Sequence, residues 1–271
     1  MTARVQGILR MGVLASVIML PVSEVIAQRY GVDTVLRNRA EIGTFYHRLD
    51  NSYPDWRGVN LRVQHNSPRF SPFAFFSTQS REAGSQQNYG AGSYVVFSPH
   101  AYAILSLSGA PGTDPVIFPR LRADVLTLFN VPPVSGLVLQ AGLTEVQFAG
   151  PARGRIVSAG SMYYRGHAIL SGVVRFNTDR TSGARSRSTT VGGQYGTEGR
   201  VWVGGDVTTG NEAYRVFSES PFDARFSGTS ASAFVQKWIT RGHGLTARYD
   251  FENKHNAYHR NGLTLSYFVD F

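Results

Sequence analysis

Cysteine is absent from this chain of 271 residues, and charged residues are scarce at 17%. Without cysteine there can be no disulfide scaffold, thiolate metal site, thiol nucleophile or lipid attached to an N-terminal cysteine. No uninterrupted apolar run reaches the ~18 residues of a membrane-spanning helix, which excludes a helical membrane protein. Aromatic residues, at 12%, are too plentiful for a disordered chain. The length allows one large domain or two small ones.

The first 27 residues have the features of an export signal. Arg4 and Arg10 precede an apolar run over residues 11–22, and a small-residue site ends at Ala27. This order of charged, apolar and small residues is typical of a cleaved secretory signal. An uncleaved anchor helix is disfavoured because twelve residues rise only ~18 Å, less than the ~30 Å hydrocarbon layer. We therefore predict cleavage between Ala27 and Gln28 and an exported chain.

Apolar and polar residues alternate along most of the remaining chain. Because successive side chains of a strand point to opposite faces, a period of two indicates β-strands. Clear alternation covers residues 57–65, 119–129, 135–147, 167–177, 200–210, 245–252 and 263–271. Weaker alternation covers residues 38–49, 70–80, 87–97, 101–109, 155–164, 188–196 and 226–237. No amphipathic helix follows the signal segment, so we predict an all-β protein.

The predicted strands are joined alternately by short turns and by longer segments that are richer in charge. The longer segments follow odd-numbered strands and cover residues 110–119, 178–187, 211–225 and 252–259. Short turns at one rim and longer loops at the other are typical of bacterial outer-membrane barrels. In hydrocarbon an unpaired backbone group costs several kcal/mol, so such a sheet must close on itself.

We therefore predict a transmembrane antiparallel β-barrel in the bacterial outer membrane, over residues 38–271. A short periplasmic segment, residues 28–37, precedes the barrel. The predicted number of strands is about 14, with 12 as the alternative, because both fit the length. An even number of strands returns both chain ends to the periplasmic rim.

If the apolar faces contact lipid, a set of charged side chains points into the barrel. An arginine on the lipid face near the midplane would cost ~2–4 kcal/mol. The predicted lumen-lining charges are Arg62, Arg122, Asp124, Arg175, Asp206, Arg248, Asp250 and Glu252. Four arginines and four acids give no preference for either sign. Two interpretations stay open: a salt-bridged wall that braces the barrel, or a charged constriction that selects solutes.

Aromatic residues near the predicted strand ends suggest a girdle at the membrane interfaces. The predicted members are Tyr46, Tyr53, Trp56, Tyr163, Tyr164, Trp202, Trp238 and Tyr249. Ordinary packing within the sheet is the alternative interpretation.

Two resemblances sharpen the prediction. The C-terminal strand, with Leu263, Leu265, Tyr267, Val269 and the terminal Phe271 on one face, resembles the assembly signal of bacterial outer-membrane proteins. That resemblance implies recognition by the barrel assembly machinery. Four further segments resemble the YaiO family of outer-membrane β-barrels in their order and spacing: Pro54 to Arg57, Tyr89 to Tyr94, Leu105 to Pro111 and Ala257 to Gly262. The YaiO resemblance covers residues 38–271 and implies fold and location, but no chemical activity.

Few residues suggest catalysis. His65 and Ser67 have the His-x-Ser spacing of outer-membrane lipid hydrolases, in which the histidine activates the serine hydroxyl. They precede Pro68 in a predicted turn, which is poor support for a nucleophile. His255 and His259 are four residues apart, a spacing that aligns metal ligands only on a helix. We predict no metal site, no cofactor and no enzymatic activity.

The chain is basic, and its arginines suggest a partner. The predicted signal carries two arginines and one glutamate, so its removal lowers the formal charge from +9 to +8. Arginines in or beside the longer loops are Arg153, Arg155, Arg180, Arg185, Arg187, Arg215 and Arg225. Because a guanidinium pairs with phosphate through a two-pronged hydrogen bond, outer-membrane lipid and lipopolysaccharide are the expected partners. Scattered surface charge is the alternative, and nucleic acid is not expected in that compartment.

The predicted function is that of a passive conduit, pore or envelope component without catalytic activity. A lipid-modifying enzyme and a plugged structural or adhesive barrel are the alternatives. The pattern leaves the oligomeric state open.

Overall fold

A computed structural model describes residues 37–271 apart from residues 52, 83, 113–116, 149, 214–224 and 255–257. The predicted signal peptide and its cleavage site after Ala27 lie outside the described residues. The described strands are β1 (Arg39–Leu49), β2 (Trp56–Gln64), β3 (Phe70–Arg81), β4 (Gly84–Ser98), β5 (Ala101–Gly109), β6 (Leu121–Asn130), β7 (Leu137–Gln147), β8 (Arg153–Arg165), β9 (Ala168–Asp179), β10 (Arg185–Thr197), β11 (Val201–Ala213), β12 (Arg225–Thr240), β13 (His243–Lys254) and β14 (Tyr258–Asp270). No helix in these described ranges is long and apolar enough to cross a membrane.

The fourteen strands form one closed antiparallel barrel. Each strand pairs with its neighbours in the chain, and β1 pairs with β14 from Arg39 opposite Asp270 to Leu49 opposite Arg260. Closure leaves no strand edge with unpaired backbone groups, as a hydrocarbon environment requires. The prediction of fourteen strands is confirmed, and the twelve-strand alternative is wrong.

The period of two in the sequence places apolar side chains on the outside of the barrel. In β14, Leu263, Leu265 and Tyr267 are exposed, whereas Phe268 on the opposite face is fully buried. In β2, Leu61 and Val63 are exposed on either side of the half-buried Arg62. An exposed apolar face all round and a polar inner face are the arrangement that a bilayer imposes on a barrel wall.

The two rims of the barrel differ in their connections. At the rim that holds both chain ends, here called the turn rim, the connections range from two residues (99–100) to six (131–136). At the opposite rim, here called the loop rim, the connection over residues 110–120 has eleven residues, as does that between β11 and β12. The predicted long loop over residues 211–225 falls largely on residues that the structure does not describe.

Two of the predicted long loops are shorter than expected. The connection after β9 has only residues 180–184, because Arg185 and Arg187 already belong to β10. Likewise β13 continues to Lys254 and β14 begins at Tyr258, so only three residues connect them. Backbone pairing does not depend on side-chain polarity, so the ladders run on through these polar residues, where alternation of apolar residues gives no signal.

Inward-facing glycines make room for rings on the neighbouring strand. A Cβ atom added to Gly90 would lie 2.2 Å from the ring of Phe75, its cross-strand partner. The same arrangement occurs in the register pairs Phe73–Gly92, Phe45–Gly58, His47–Gly262 and Phe268–Gly244. Rings that cover glycines in this way allow a sheet to curve tightly while its inner surface stays packed.

The hydrophobic core lies inside the barrel as two separate clusters. The turn-rim cluster comprises Phe73, Tyr94, Tyr102, Ile104, Leu128, Val138 and Met162, contributed by β3 to β8. The loop-rim cluster comprises Leu49, Trp56 and Tyr258, with Phe45 and Tyr53 packed against it. Between these clusters the inner wall is mostly polar, although Phe75 and Phe234 also point inward.

Candidate functional site

The lumen contains all eight predicted inward charges, but they do not form one cluster. Strand pairing places each of them on the face opposite the exposed apolar residues of its own strand. They divide into two arginine–aspartate pairs, a hydroxyl-lined wall and one group near each rim. The predicted lumen lining is therefore spread around the barrel rather than gathered into a single ring.

Two arginine–aspartate pairs face each other across the lumen. The Arg122 Nη2 and Asp124 Oδ1 atoms in β6 are 2.8 Å apart, as are the Arg248 Nε and Asp250 Oδ1 atoms in β13. Residues two apart in a strand share a face, which is why each arginine reaches its own aspartate. Since β6 and β13 are seven strands apart in a ring of fourteen, they stand on opposite walls.

Solvent reaches both of these pairs. The Arg122 and Asp124 side chains are 20% and 26% exposed, and those of Arg248 and Asp250 are 32% and 17% exposed. Because they point into the barrel, the space that exposes them belongs to the lumen. Within each pair the two charges are opposite, so neither pair adds net charge to the lumen.

A chain of hydroxyl groups lines the wall formed by β9 to β12. Arg175 Nη1 donates to Thr190 Oγ1 at 2.6 Å, and the Thr190 and Thr208 hydroxyl oxygens are 2.7 Å apart. Ser232 Oγ donates to Asp206 Oδ1 at 2.5 Å. Arg175 also lies within electrostatic range of Asp206.

The remaining predicted charges lie near the rims. Arg62 Nη2 donates to Gln64 Oε1 at 2.8 Å, and its guanidinium carbon is 4.5 Å from the ring centre of Phe73 in the turn-rim cluster. Phe73, Leu128 and Val138 are buried, so this cluster narrows the turn end of the lumen on the side of β3 to β8.

Glu252 belongs to a buried charged group at the loop rim. Its Oε2 atom is 3.2 Å from Arg260 Nε and its Oε1 atom is 3.6 Å from Lys254 Nζ. The centre of the Trp56 ring is 4.2 Å from the guanidinium carbon of Arg81 and 5.2 Å from that of Arg260. All of these side chains are buried, so the group braces the wall more than it lines a passage.

The buried cations Arg81, Lys254 and Arg260 are missing from the predicted set. The predicted strands ended at residues 80 and 252 and began at residue 263, so these three residues fell in loops. A signal was available for Arg260, which alternates with Tyr258 and Gly262 on the face that continues the inward side of β14. The alternation was hidden because the outward residues at that height, His259 and Asn261, are polar.

The sequence model of the YaiO membrane beta barrel domain matches residues 37–215. The chain belongs to the YaiO family of membrane β-barrels. No curated protein sequence matches it.

Several solved structures share the fold of this YaiO-family barrel. A bacterial polysaccharide outer membrane secretin is 10% identical, with a TM-score of 0.57, covering 88% of this chain and 99% of its own. The Acinetobacter baumannii outer membrane protein Omp33 is 11% identical, with a TM-score of 0.51 and coverages of 86% and 99%. An outer membrane channel of Pseudomonas putida F1 is 12% identical, with a TM-score of 0.50 and coverages of 89% and 97%. The protein is thus a bacterial outer-membrane β-barrel.

Two of the four segments that resemble the YaiO family, the one with Trp56 and the one with Tyr258, come together at the loop rim. Asp55 accepts hydrogen bonds from the Tyr46 hydroxyl and, at 3.1 Å, from the Leu49 backbone N–H, which holds the first loop against β1. The next residue, Trp56, packs edge-on against Tyr258, with ring centres 6.2 Å apart. About 200 residues separate these two motifs in sequence, and the closure of β1 onto β14 brings them into contact.

The predicted aromatic girdle is only partly correct. Tyr46, Tyr163 and Tyr249 are exposed on the outer face. The other five members, Tyr53, Trp56, Tyr164, Trp202 and Trp238, pack inward or against the loop-rim cluster. A position near a strand end places a residue near a rim of the barrel. Whether its side chain points inward or outward depends on whether its position along the strand is odd or even. The exposed aromatic residues of the turn rim are Phe70, Phe97, Phe129, Tyr163, Tyr195, Tyr267 and Phe271.

The C-terminal residues that resemble an assembly signal form the outer face of the closing strand. Leu263, Leu265, Tyr267 and Val269 alternate outward, and Phe271 is exposed beyond the end of β14. The backbone of Phe271 exchanges two hydrogen bonds with Asn38, at 2.8 and 2.9 Å. Their recognition by the assembly machinery stays a prediction.

The His-x-Ser segment has no catalytic geometry. His65 Nδ1 is 2.7 Å from Asn38 Oδ1, and Ser67 Oγ donates to the Phe70 carbonyl at 2.5 Å. Ser67 is therefore bonded within its own turn, whereas His65 is bonded to Asn38, which precedes β1.

The predicted spacing of His255 and His259 is also not accompanied by a metal site among the residues that the structure describes. His255 lies outside the described residues, while His259 Nδ1 is 2.8 Å from Asp50 Oδ2. The backbone N–H of His259 also donates to Asp50, and this bond lowers the pKa of that carboxyl below its ordinary value. Among the residues that the structure describes, no three His, Asp or Glu side chains are grouped to hold a metal ion.

Proposed function

We propose that this YaiO-family barrel is a passive conduit for small polar solutes. The observation that carries the proposal is the pair of solvent-reached ion pairs, Arg122–Asp124 and Arg248–Asp250, on opposite walls of the lumen. A barrel of ~8 strands has an interior that side chains fill, whereas one of ~16–18 strands leaves an aqueous channel. A fourteen-stranded barrel lies between these cases, so its side chains decide whether a passage exists.

The composition of the inner wall favours polar solutes of limited size. The hydroxyl groups of the half-buried Thr208 and Ser232 offer donors and acceptors that replace part of the water around a passing solute. The aromatic cluster at the turn rim and the buried charged group at the loop rim restrict the width at the two ends. One fold neighbour is described as a polysaccharide secretin, which makes a glycan chain the second solute class to test.

Absence of catalysis is part of the same proposal. It is supported by the separate bonding of His65 and Ser67, since a serine nucleophile needs a hydrogen bond to its base. Alanine at either position is expected to leave the membrane lipids of a producing strain unchanged.

A plugged structural barrel is the second candidate. The turn-rim cluster favours it, because Leu128 and Val138 of that cluster are fully buried inside the barrel. In this case the ion pairs would brace the wall and no solute would pass.

Single-channel recording in a planar bilayer separates the two candidates. Ser232→Trp places a large ring in the lumen beside Asp206, and Val191→Trp places the same ring on the lipid face as a matched control. We expect stable open steps for the unmodified barrel, a conductance at least about twofold lower for the Ser232 variant, and an unchanged conductance for the Val191 variant. A folded barrel without current would overturn the conduit and favour the plugged barrel.

A further inference from the structure

Five arginines form a continuous basic patch on the outer face of the barrel at the loop rim. The patch, here called the arginine rim, comprises Arg153, Arg155, Arg180, Arg185 and Arg187. All five are exposed, and they come from β8, β10 and the connection after β9. The other two arginines of the predicted basic loops, at positions 215 and 225, have no described side chains.

Strand register places the arginine rim directly above the apolar band of the wall. Arg155 lies opposite Thr178, which lies opposite Arg185, so these two arginines stand two strands, or ~10 Å, apart at one height. Arg187 lies opposite Phe176, which is exposed to the outside like the rest of the lipid-facing band. The guanidinium carbon of Arg187 is 5.9 Å from the Phe176 ring centre. The rim therefore lies where hydrocarbon gives way to lipid headgroups.

The charge of the arginine rim is largely uncompensated. Glu145 is the one carboxylate paired with it in the described structure, and it binds Arg155 and, at 3.4 Å, Arg180. Five positive charges thus face one negative charge. The guanidinium groups of Arg153 and Arg185 make no hydrogen bond or ion pair with a described residue. Their N–H donors are therefore available to a ligand.

We propose that the arginine rim binds the phosphate groups of lipopolysaccharide in the outer leaflet. In outer-membrane barrels the longer loops face the outside, so the loop rim meets this phosphorylated glycolipid. A phosphate accepts two parallel hydrogen bonds from one guanidinium, and several arginines at one height match a headgroup with more than one phosphate. The acyl chains of the same lipid would then contact the apolar side chains just below, such as Val157 and Phe176. This proposal uses the outer face only and does not depend on the conduit.

Lipid titration of the purified full barrel in detergent tests the proposal. The test variant replaces Arg153, Arg155, Arg185 and Arg187 by Gln. The matched control removes four exposed arginines at the turn rim, replacing Arg69, Arg165, Arg200 and Arg241 by Gln. With purified lipopolysaccharide as the probe, we expect Kd to rise at least about tenfold for the test variant and to stay within about twofold for the control.

Further probes identify the chemistry that is recognised. Dephosphorylated lipopolysaccharide is expected to bind the unmodified barrel as weakly as lipopolysaccharide binds the test variant. Vesicles of phosphatidylglycerol and inorganic phosphate are expected to bind more weakly than lipopolysaccharide. Equal loss of binding in both variants, undiminished binding of the dephosphorylated lipid, or a preference for phosphatidylglycerol would each overturn the proposal.

A double variant keeps the test decisive if the fourfold variant does not fold. Arg153→Gln with Arg185→Gln changes two exposed side chains whose guanidinium groups make no hydrogen bond or ion pair with a described residue, so we expect this variant to fold. We expect a severalfold rise in Kd for lipopolysaccharide with an unchanged unfolding midpoint. Unchanged affinity in this folded variant would also contradict the proposal.

Discussion

At the scale of single residues, the inward glycines show most directly how this sequence makes a narrow curved wall. Gly92 lies opposite Phe73 of the turn-rim cluster. A Cβ atom at Gly92 would lie 2.4 Å from the Phe73 ring and 2.3 Å from the Leu105 carbonyl oxygen. A ring can turn aside, but a backbone carbonyl in a paired strand cannot do so without loss of the ladder.

Replacement of Gly92 by alanine is therefore expected to destabilise the barrel by about 1–3 kcal/mol, the usual cost of overpacking. Gly172→Ala is the matched control, because no atom lies within 4 Å of the position that its Cβ would occupy. Urea unfolding in lipid vesicles, followed by tryptophan fluorescence, measures both variants. Equal unfolding midpoints for the two variants would contradict the prediction, because they would mean that the wall accommodates a Cβ atom at position 92 without loss of stability.

At the scale of strands, the seam between β1 and β14 depends on one buried carboxylate. Asp270 accepts hydrogen bonds from Arg39 Nε at 2.6 Å and Nη2 at 3.0 Å, and from Trp238 Nε1 at 2.8 Å. These three residues belong to β14, β1 and β12, so one side chain links both ends of the chain to a third strand. The Arg39 and Asp270 side chains are each less than a tenth exposed.

Asp270→Ala is expected to lower the free energy of unfolding by about 3–5 kcal/mol, because it removes the carboxylate that accepts two hydrogen bonds from the buried Arg39 guanidinium. Glu145→Ala, which removes a carboxylate from an exposed pair, should cost about 0–1 kcal/mol. The temperature at which the folded band is lost on unboiled gels compares the two. A similar shift for both would mean that closure does not depend on this contact.

Strand boundaries illustrate how far alternation alone can be followed. The outer face of β14 reads as apolar from Leu263 onward, and the predicted strand began there, although pairing begins at Tyr258. Above the hydrocarbon layer the outward positions are occupied by His259 and Asn261, so both faces are polar and the period of two disappears. Only the hydrogen-bonded neighbour reveals that the strand continues.

At the scale of the whole molecule, the turn-rim cluster occupies part of the interior that the proposed conduit would use. The turn-rim cluster is contributed by β3 to β8 alone, so it narrows the passage from one side. Tyr94 and Tyr102 are among its largest buried side chains, and both point inward. A solute that crosses the barrel must pass beside them.

Removal of these rings should widen the conduit. Tyr94→Ala combined with Tyr102→Ala is expected to raise the single-channel conductance about twofold or more. Phe97→Ala, which trims an exposed ring at the same rim, should leave the conductance unchanged. The same planar-bilayer recording compares the two variants. A conductance equal to that of the unmodified barrel would place the narrowest point elsewhere.

The sequence by itself determined the fold class, the number of strands and the inward direction of charges such as Arg122 and Asp124. These depend on a period of two between neighbouring residues, which is local and can be read directly. The tertiary structure decided which inward residues meet. Trp56 contacts Tyr258 only because β1 closes onto β14. The four predicted girdle residues in strands that point inward, Trp56, Tyr164, Trp202 and Trp238, do so because parity, not proximity to a strand end, sets their face. Ring closure and register are properties of the whole chain, and they alone bring distant side chains together.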